Sequence, residues 1–339
     1  MVNFMMFIPK VINNTFMALL LVISNSSSVW SQPPRLAKGV CHDPVGRVIN
    51  GGDVHLSAGS LICPEDRIQP AKGSMVEVIC LTSRRILEIK QSDSAAQVCA
   101  ERVSQPRRLC ILDANCRNTR GSEERENPTL IAPYVGRIIN PRPKLSWLEV
   151  LGATSYIVQV EGSGGNWSKE IPKTSLEYPL SEPAMEWGRI YKINVIANKG
   201  DEPVSASSSV TIVLPQEEAQ EINRVVEKIQ NLNLSADELA IDLDAVYMSK
   251  NLLTEAIGVL EARVRNGTQN PAIYRMLGDR YLETGLLETH SLAAAIRAYA
   301  EAVKLARQKN DAEELAKAQA GVKLLESQSQ APTRTNAAQ

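Results

Sequence analysis

The sequence predicts a multidomain chain: an N-terminal all-β part made of two β modules, then a C-terminal all-α helical array. Three observations lead there. All six cysteines lie between positions 41 and 116, within a stretch of short alternating strands. A second stretch, from about Thr129 to Pro215, repeats the period-two alternation without any cysteine. Beyond Gln216 glycine becomes scarce and apolar residues recur at helical spacing. A length of 339 residues fits two or three domains.

Residues 1–31 read as a secretory signal. One lysine, Lys10, precedes the apolar run Phe16 to Ser24, and small residues follow it. Val29 and Ser31 suit cleavage before Gln32, and Ser28 is another cut point. The run is much shorter than the roughly 20 residues that span a bilayer. An uncleaved membrane anchor is the alternative, and Met5 or Met6 are alternative initiators. The expectation is an exported chain, periplasmic or extracellular, with no transmembrane span after cleavage. A net charge of −1 gives no general attraction for nucleic acid, and 4 % aromatics leave few stacking platforms.

The first module spans residues 40–120. Cys41, Cys63, Cys80, Cys99, Cys110 and Cys116 are the disulfide candidates: an even set, confined to one small module of an exported chain. Spacing does not choose among the pairings. Free buried thiols are an alternative, and zinc is disfavoured by the lack of any C-x-x-C pair. Val54, Leu56, Leu61 and Cys63 alternate with small or polar residues, as do "MVEVIC" and "RILEI". That period puts one face in a core and the other in water. "SDSAAQVCAERV" reads as a short helix or turn. Leu61, Asp66, Ile68, Gly73, Ser74, Val76 and Val78 follow a leucine–turn–isoleucine–Gly-Ser–strand order. This resembles the FecR-type β module of bacterial envelope proteins over about forty residues, and it implies an envelope sensor or regulator.

Residues 121–128 are charged and free of apolar side chains, a linker. The second module, 129–215, offers "LSWLEV", the alternating Tyr156, Val158 and Val160, then Ile190, Tyr191, Ile193 and Val195, and a closing strand "SSSVTIVLP". Short strands at regular spacing predict a sandwich. The module resembles a fibronectin type III-like domain. The resemblance makes Trp147 the core tryptophan and Tyr191 the tyrosine of a strand corner, with Met185 and Gly188 standing where the family usually has Leu and Pro.

The third module spans residues 216–327, and residues 328–339 read as a disordered tail. A helix at 217–232 places Ile222, Val225, Val226, Ile229 and Leu232 on one face. Tyr274, Leu277, Gly278 and Tyr281, then Ala295, Tyr299 and Ala302, follow a two-helix signature; Leu243, Tyr247, Ala256, Ile257 and Leu260 repeat it. Asp237 and Pro271 start copies 34 residues apart. The pattern resembles tetratricopeptide repeats (TPR). Two features depart from it: Asp244 occupies a small position, and "LLETHSL" lengthens a turn. Two copies are fewer than the roughly three that bury a continuous core. The helices at 217–232 and 311–326 are the expected neighbours.

The resemblance to TPR implies a concave groove for a peptide or partner helix. By position in the repeat, the groove candidates are Met248, Ser249, Arg275, Asp279, Leu282 and Glu283. The chain's own first or last helix is the alternative occupant. No catalytic residue, metal or cofactor is predicted. The histidines are His42, His55 and His290, and no H-E-x-x-H, P-loop or G-x-S-x-G is present. Asn166, Asn233 and Asn266 sit in glycosylation sequons. The expected function is a non-enzymatic exported scaffold or adaptor that binds a protein through the helices. The rivals are an envelope sensor, and a polysaccharide binder marked by Trp167 and Trp187 exposed on one face of the sandwich. An enzyme using His42 or His55 is a remote alternative.

Overall fold

A computed structural model describes residues 43–100, 126–285 and 290–329. The expected leader, Cys41, His42, Cys110, Cys116, most of the linker and the end of the tail lie outside the described residues. An N-terminal β region is followed by a C-terminal array of helices, in the predicted order.

The first module forms an antiparallel sheet ordered β2-β1-β4-β5, from β1 (Gly46–Asn50), β2 (Leu61–Ile62), β4 (Val76–Cys80) and β5 (Arg85–Ile89). A small pair, β3 (Arg67–Ile68) with β6 (Asp93–Ser94), and one turn of helix, α1 (Ala95–Val98), close the other side. Val48, Ile62, Ile68, Val76 and Val78 fill the core. A disulfide joins Cys80 to Cys99, and Cys63 is also disulfide-bonded. Turns carry the remaining sequence signals. Gly73 adopts φ +79°, and the Ser74 hydroxyl donates to Gly52 O and Ala71 O at 2.7 Å each. The Asp66 carboxylate accepts from Cys63 N at 2.8 Å.

One expectation fails here for a clear reason. The alternation of β4, V-E-V-I-C, suggests one wet face, yet every residue of the strand is buried. Val76 and Val78 point into the module's core. Glu77 and Ile79 point the other way and are covered by the helical array.

The second module is a two-sheet sandwich built from β7 (Leu130–Ala132), β8 (Gly136–Ile138), β9 (Leu145–Trp147), β10 (Ser155–Gly162), β11 (Trp167–Ile171), β12 (Ser175–Leu176), β13 (Ile190–Lys199) and β14 (Glu202–Val213). One sheet is ordered β12-β9-β7 and the other β11-β10-β13-β14-β8. Lettered A, A′, B, C, C′, E, F and G along the chain, these are E-B-A and C′-C-F-G-A′, a fibronectin III-like arrangement. Trp147 lies buried in β9 against Tyr156, with ring centroids 5.6 Å apart. The Tyr191 hydroxyl accepts from Glu186 N at 2.8 Å, so the strand-corner hydrogen bond forms despite Met185 and Gly188.

The helices are α2 (Gln216–Gln230), α3 (Ala236–Ser249), α4 (Leu253–Arg265), α5 (Pro271–Glu283), α6 (His290–Lys309) and α7 (Ala312–Ser329). The last begins one residue later than expected and runs on through Ser329, two residues into the predicted tail. Ser235 and Glu238 form a reciprocal capping box at the start of α3, and Pro271 occupies the first turn of α5 behind the Asn270 cap. Each helix packs on the next, and α5 also touches α3 and α7. Tyr299 of α6 lies where Gly278 of α5 and Gly321 of α7 leave room: a Cβ on Gly278 would sit 2.9 Å from Tyr299 Cζ.

Candidate functional site

The largest concentration of buried charge lies where the first module meets the helices. Ile49, Ile79, Leu81 and Ile86 pack against Ile222, Val225, Val226 and Ile229 of α2 and Leu243 and Val246 of α3. Three charge networks surround that apolar contact. Arg47, 3 % exposed on β1, donates to Asp242 of α3 at 2.5 Å, to Glu238 at 3.1 Å and to Gly59 O at 2.8 Å. Glu77, buried on β4, accepts from Lys228 at 2.5 Å and from Arg224 at 3.5 Å, both on α2. Arg84, at the β4–β5 turn, donates to Glu283 of α5 at 3.0 Å. Glu283 also takes a 3.0 Å bond from Arg280, whose guanidinium grips Asp244 of α3 at 2.6 and 2.7 Å.

Electrostatics follow from burial. Asp242 is fully enclosed, and its pKa is pushed up to about 6; burial dominates, and Arg47 only partly counters it. Among the described residues its second oxygen, Oδ1, has no hydrogen-bond partner. At Arg280 burial opposes the charge, but the Asp244 contacts outweigh it and hold the pKa above the ordinary value. Glu238 is held below the usual range: burial works against it, and bonds from Ser235 and Arg47 prevail. In such pairs desolvation offsets much of the attraction, whereas removing one partner leaves a buried charge uncompensated.

The six groove candidates do not line an open groove. Met248 and Leu282 are buried in the array. The Ser249 hydroxyl bonds back to Val246 O at 2.6 Å. Arg275 makes a two-pronged contact with Glu314 of α7 at 2.7 and 3.0 Å and a 2.8 Å bond to Asp279. Asp279 also accepts from Tyr299 at 2.5 Å. Glu283 faces Arg84 of the first module. The last helix therefore takes one part of this surface through Glu314. The first β module takes another, which repeat spacing gives no means of seeing.

The sandwich is tied to the same array. Its strand β8 is a sheet edge, and α4 meets it end-on: Thr254 Oγ1 accepts from Tyr134 N and Glu255 Oε1 from Ile139 N, each at 2.9 Å. Burial raises the Glu255 pKa, with the Ile139 bond acting against it. Arg137 reaches Glu218 of α2 at 3.4 Å.

The other sequence candidates are scattered. His55 is exposed on a loop whose amides, with that of Gln69, are held by Asp53. Trp167 is buried and donates to Tyr178 at 2.9 Å, so the paired exposure of Trp167 and Trp187 does not occur; Trp187 alone is exposed. Asn166, Asn233 and Asn266 are exposed in the segments between elements. Among the described residues no cluster of three or more His, Cys, Asp or Glu is placed to hold a metal, and no helix is long and apolar enough to cross a membrane. Sequence reasoning missed Arg47, Glu77, Asp242 and Arg280. Asp244 was its one clue, a charge where two helices approach closely.

No family model matches the sequence, and no curated protein matches it. Among solved structures, the fn3 domain of the human collagen alpha-1(XX) chain is similar, with 22 % identity over 26 % of this chain and 82 % of that one, at a TM-score of 0.21. The fibronectin III-like assignment rests on strand order and the Tyr191 corner.

Proposed function

We propose that this protein is a non-enzymatic, exported scaffold whose helices, tetratricopeptide-like in their 34-residue spacing, act first as an internal bracket. One observation carries the reading: a single array holds the first β module through Arg47, Glu77 and Arg84 and the sandwich through Thr254 and Glu255. Two β modules so held present their outer surfaces to a protein partner in a fixed relation. The Cys80–Cys99 disulfide agrees with an oxidising compartment.

A second reading has support in the charged character of the first module's seat. In it the module is a removable occupant, and a partner competes for the α3–α5 surface as an adaptor's client would. The test is crosslinking capture from the parent cell's envelope fraction, with the full chain beside an Arg47→Ala/Glu77→Ala variant. The bracket reading expects equal or weaker capture by the variant. Stronger capture by the loosened chain would overturn it in favour of the adaptor. Hydrogen exchange on α3 verifies that the module has loosened.

A further inference from the structure

At the seam between the sandwich and α2, the residues Trp187, Gly188, Pro215, Gln216, Glu217 and Gln220 line a shallow, open depression. A tight turn builds it. Gly188, at φ +72°, donates its N–H to Val213 O at 3.1 Å and Leu214 O at 3.0 Å, which sets Trp187 beside the start of α2. Trp187 is 37 % exposed, whereas Trp147 and Trp167 are core residues. Ile190, 61 % exposed, follows three residues later and opposes Ile212 on the outer sheet face. Gln216 and Gln220 stand one helical turn apart on the same side of α2.

We propose that this depression is a subsite for a neutral sugar residue of a polysaccharide, with Trp187 as the stacking platform and Gln216, Glu217 and Gln220 as partners for its hydroxyls. The chemistry selects this class. An indole offers an apolar plate to the C–H face of a pyranose and a polar N–H at its edge. Two amides and a carboxylate supply both donors and acceptors, as vicinal hydroxyls require. Among the described residues none of these three side chains, nor the Trp187 indole, has a hydrogen-bond partner, so contact with a ligand breaks no existing bond. Glu218 and Glu221 are paired with Arg137 and Lys250, which leaves Glu217 as the charge among the lining residues, and none of those residues is a cation to hold phosphate or sulfate. The depression is open rather than enclosed, which suits one residue of a passing polymer better than a small metabolite.

The test uses the full chain, oxidised, and follows tryptophan indole N–H signals by NMR. Hexasaccharides of glucose, mannose and N-acetylglucosamine are titrated to millimolar concentration. The Trp187 signal is the one lost in Trp187→Ala. The expected result is that at least one sugar shifts this signal while those of Trp147 and Trp167 stay in place, with affinity reduced several-fold in Gln220→Ala. No shift with any of the three sugars overturns the proposal. So does a shift that Gln216→Ala and Gln220→Ala leave unchanged. If sugars are silent but a protein captured from the envelope is lost in Trp187→Ala, the patch is a protein interface and the sugar assignment falls.

Discussion

Asp244 and Arg280 face each other across the seam between α3 and α5, both almost fully buried, joined by two hydrogen bonds of 2.6 and 2.7 Å. Asp244 stands 34 residues before Gly278, where the repeat pattern asks for a small residue. The carboxylate is tolerated there because a guanidinium two residues beyond Gly278 reaches back to it. Asp244→Ala removes one partner and leaves a buried cation, with an expected loss of about 3–5 kcal/mol. The paired change Asp244→Leu/Arg280→Met is expected to restore most of that loss. Urea unfolding of the three chains checks both statements, and equal loss in the single and double variants would refute them.

The Asp242 carboxylate gives the interface a definite pH response. Its pKa is about 6 in the folded chain and 3.8 as the ordinary value, so the folded state binds the proton more tightly. Its stabilising contribution is complete below pH 3.8 and is lost as pH rises through about 6. Between pH 7 and pH 5 the difference in stability between the native chain and Asp242→Asn is therefore expected to shift in favour of the native chain. Thermal melts of both at matched ionic strength measure it; a difference that is flat with pH contradicts the assignment.

Tyr299 has glycines on two neighbouring helices. A methyl group at Gly278 or Gly321 meets its ring, so each Gly→Ala change is expected to cost about 1–3 kcal/mol despite the better helix propensity of alanine. The control is Gly258→Ala on α4, where a Cβ meets nothing within 4 Å and stability is expected to rise slightly. Chemical denaturation ranks the three.

Reduction of Cys80–Cys99 opens a link between residues 19 apart in sequence. A loop of that size corresponds to about 3 kcal/mol of stabilisation. Hydrogen exchange under reducing conditions is expected to quicken in β4 and α1 before it does in α5 and α6. Uniform acceleration across both regions would show that the first module and the far helices unfold as one.

The sequence made much of this legible. Trp147 and Tyr191 announced the sandwich because each needs a fixed place in a two-sheet core. The 34-residue spacing from Asp237 to Pro271 announced paired helices because close approach restricts residues at set intervals. Period and spacing describe an element's own faces, however, and are silent on what covers them. Glu77 reads as a solvent-facing charge in an alternating strand, and no pattern in the sequence singles out Arg47. Each became buried because an opposite charge arrives from more than 140 residues away, Lys228 for one and Asp242 for the other. The groove candidates show the same limit: the repeat locates a surface, and Glu314 and Arg84 of the chain itself reach Arg275 and Glu283 on it.

The meeting of α4 with strand β8 bears on how such a chain can be inherited and recombined. Thr254 and Glu255 satisfy two amides of the sandwich that no strand pairs. Cut at Pro215, the sandwich would carry a bare edge into any new setting, open to strand addition by whatever peptide it met. The exchangeable unit is therefore the sandwich together with its helical stopper, although a boundary drawn from strands and helices would separate the two.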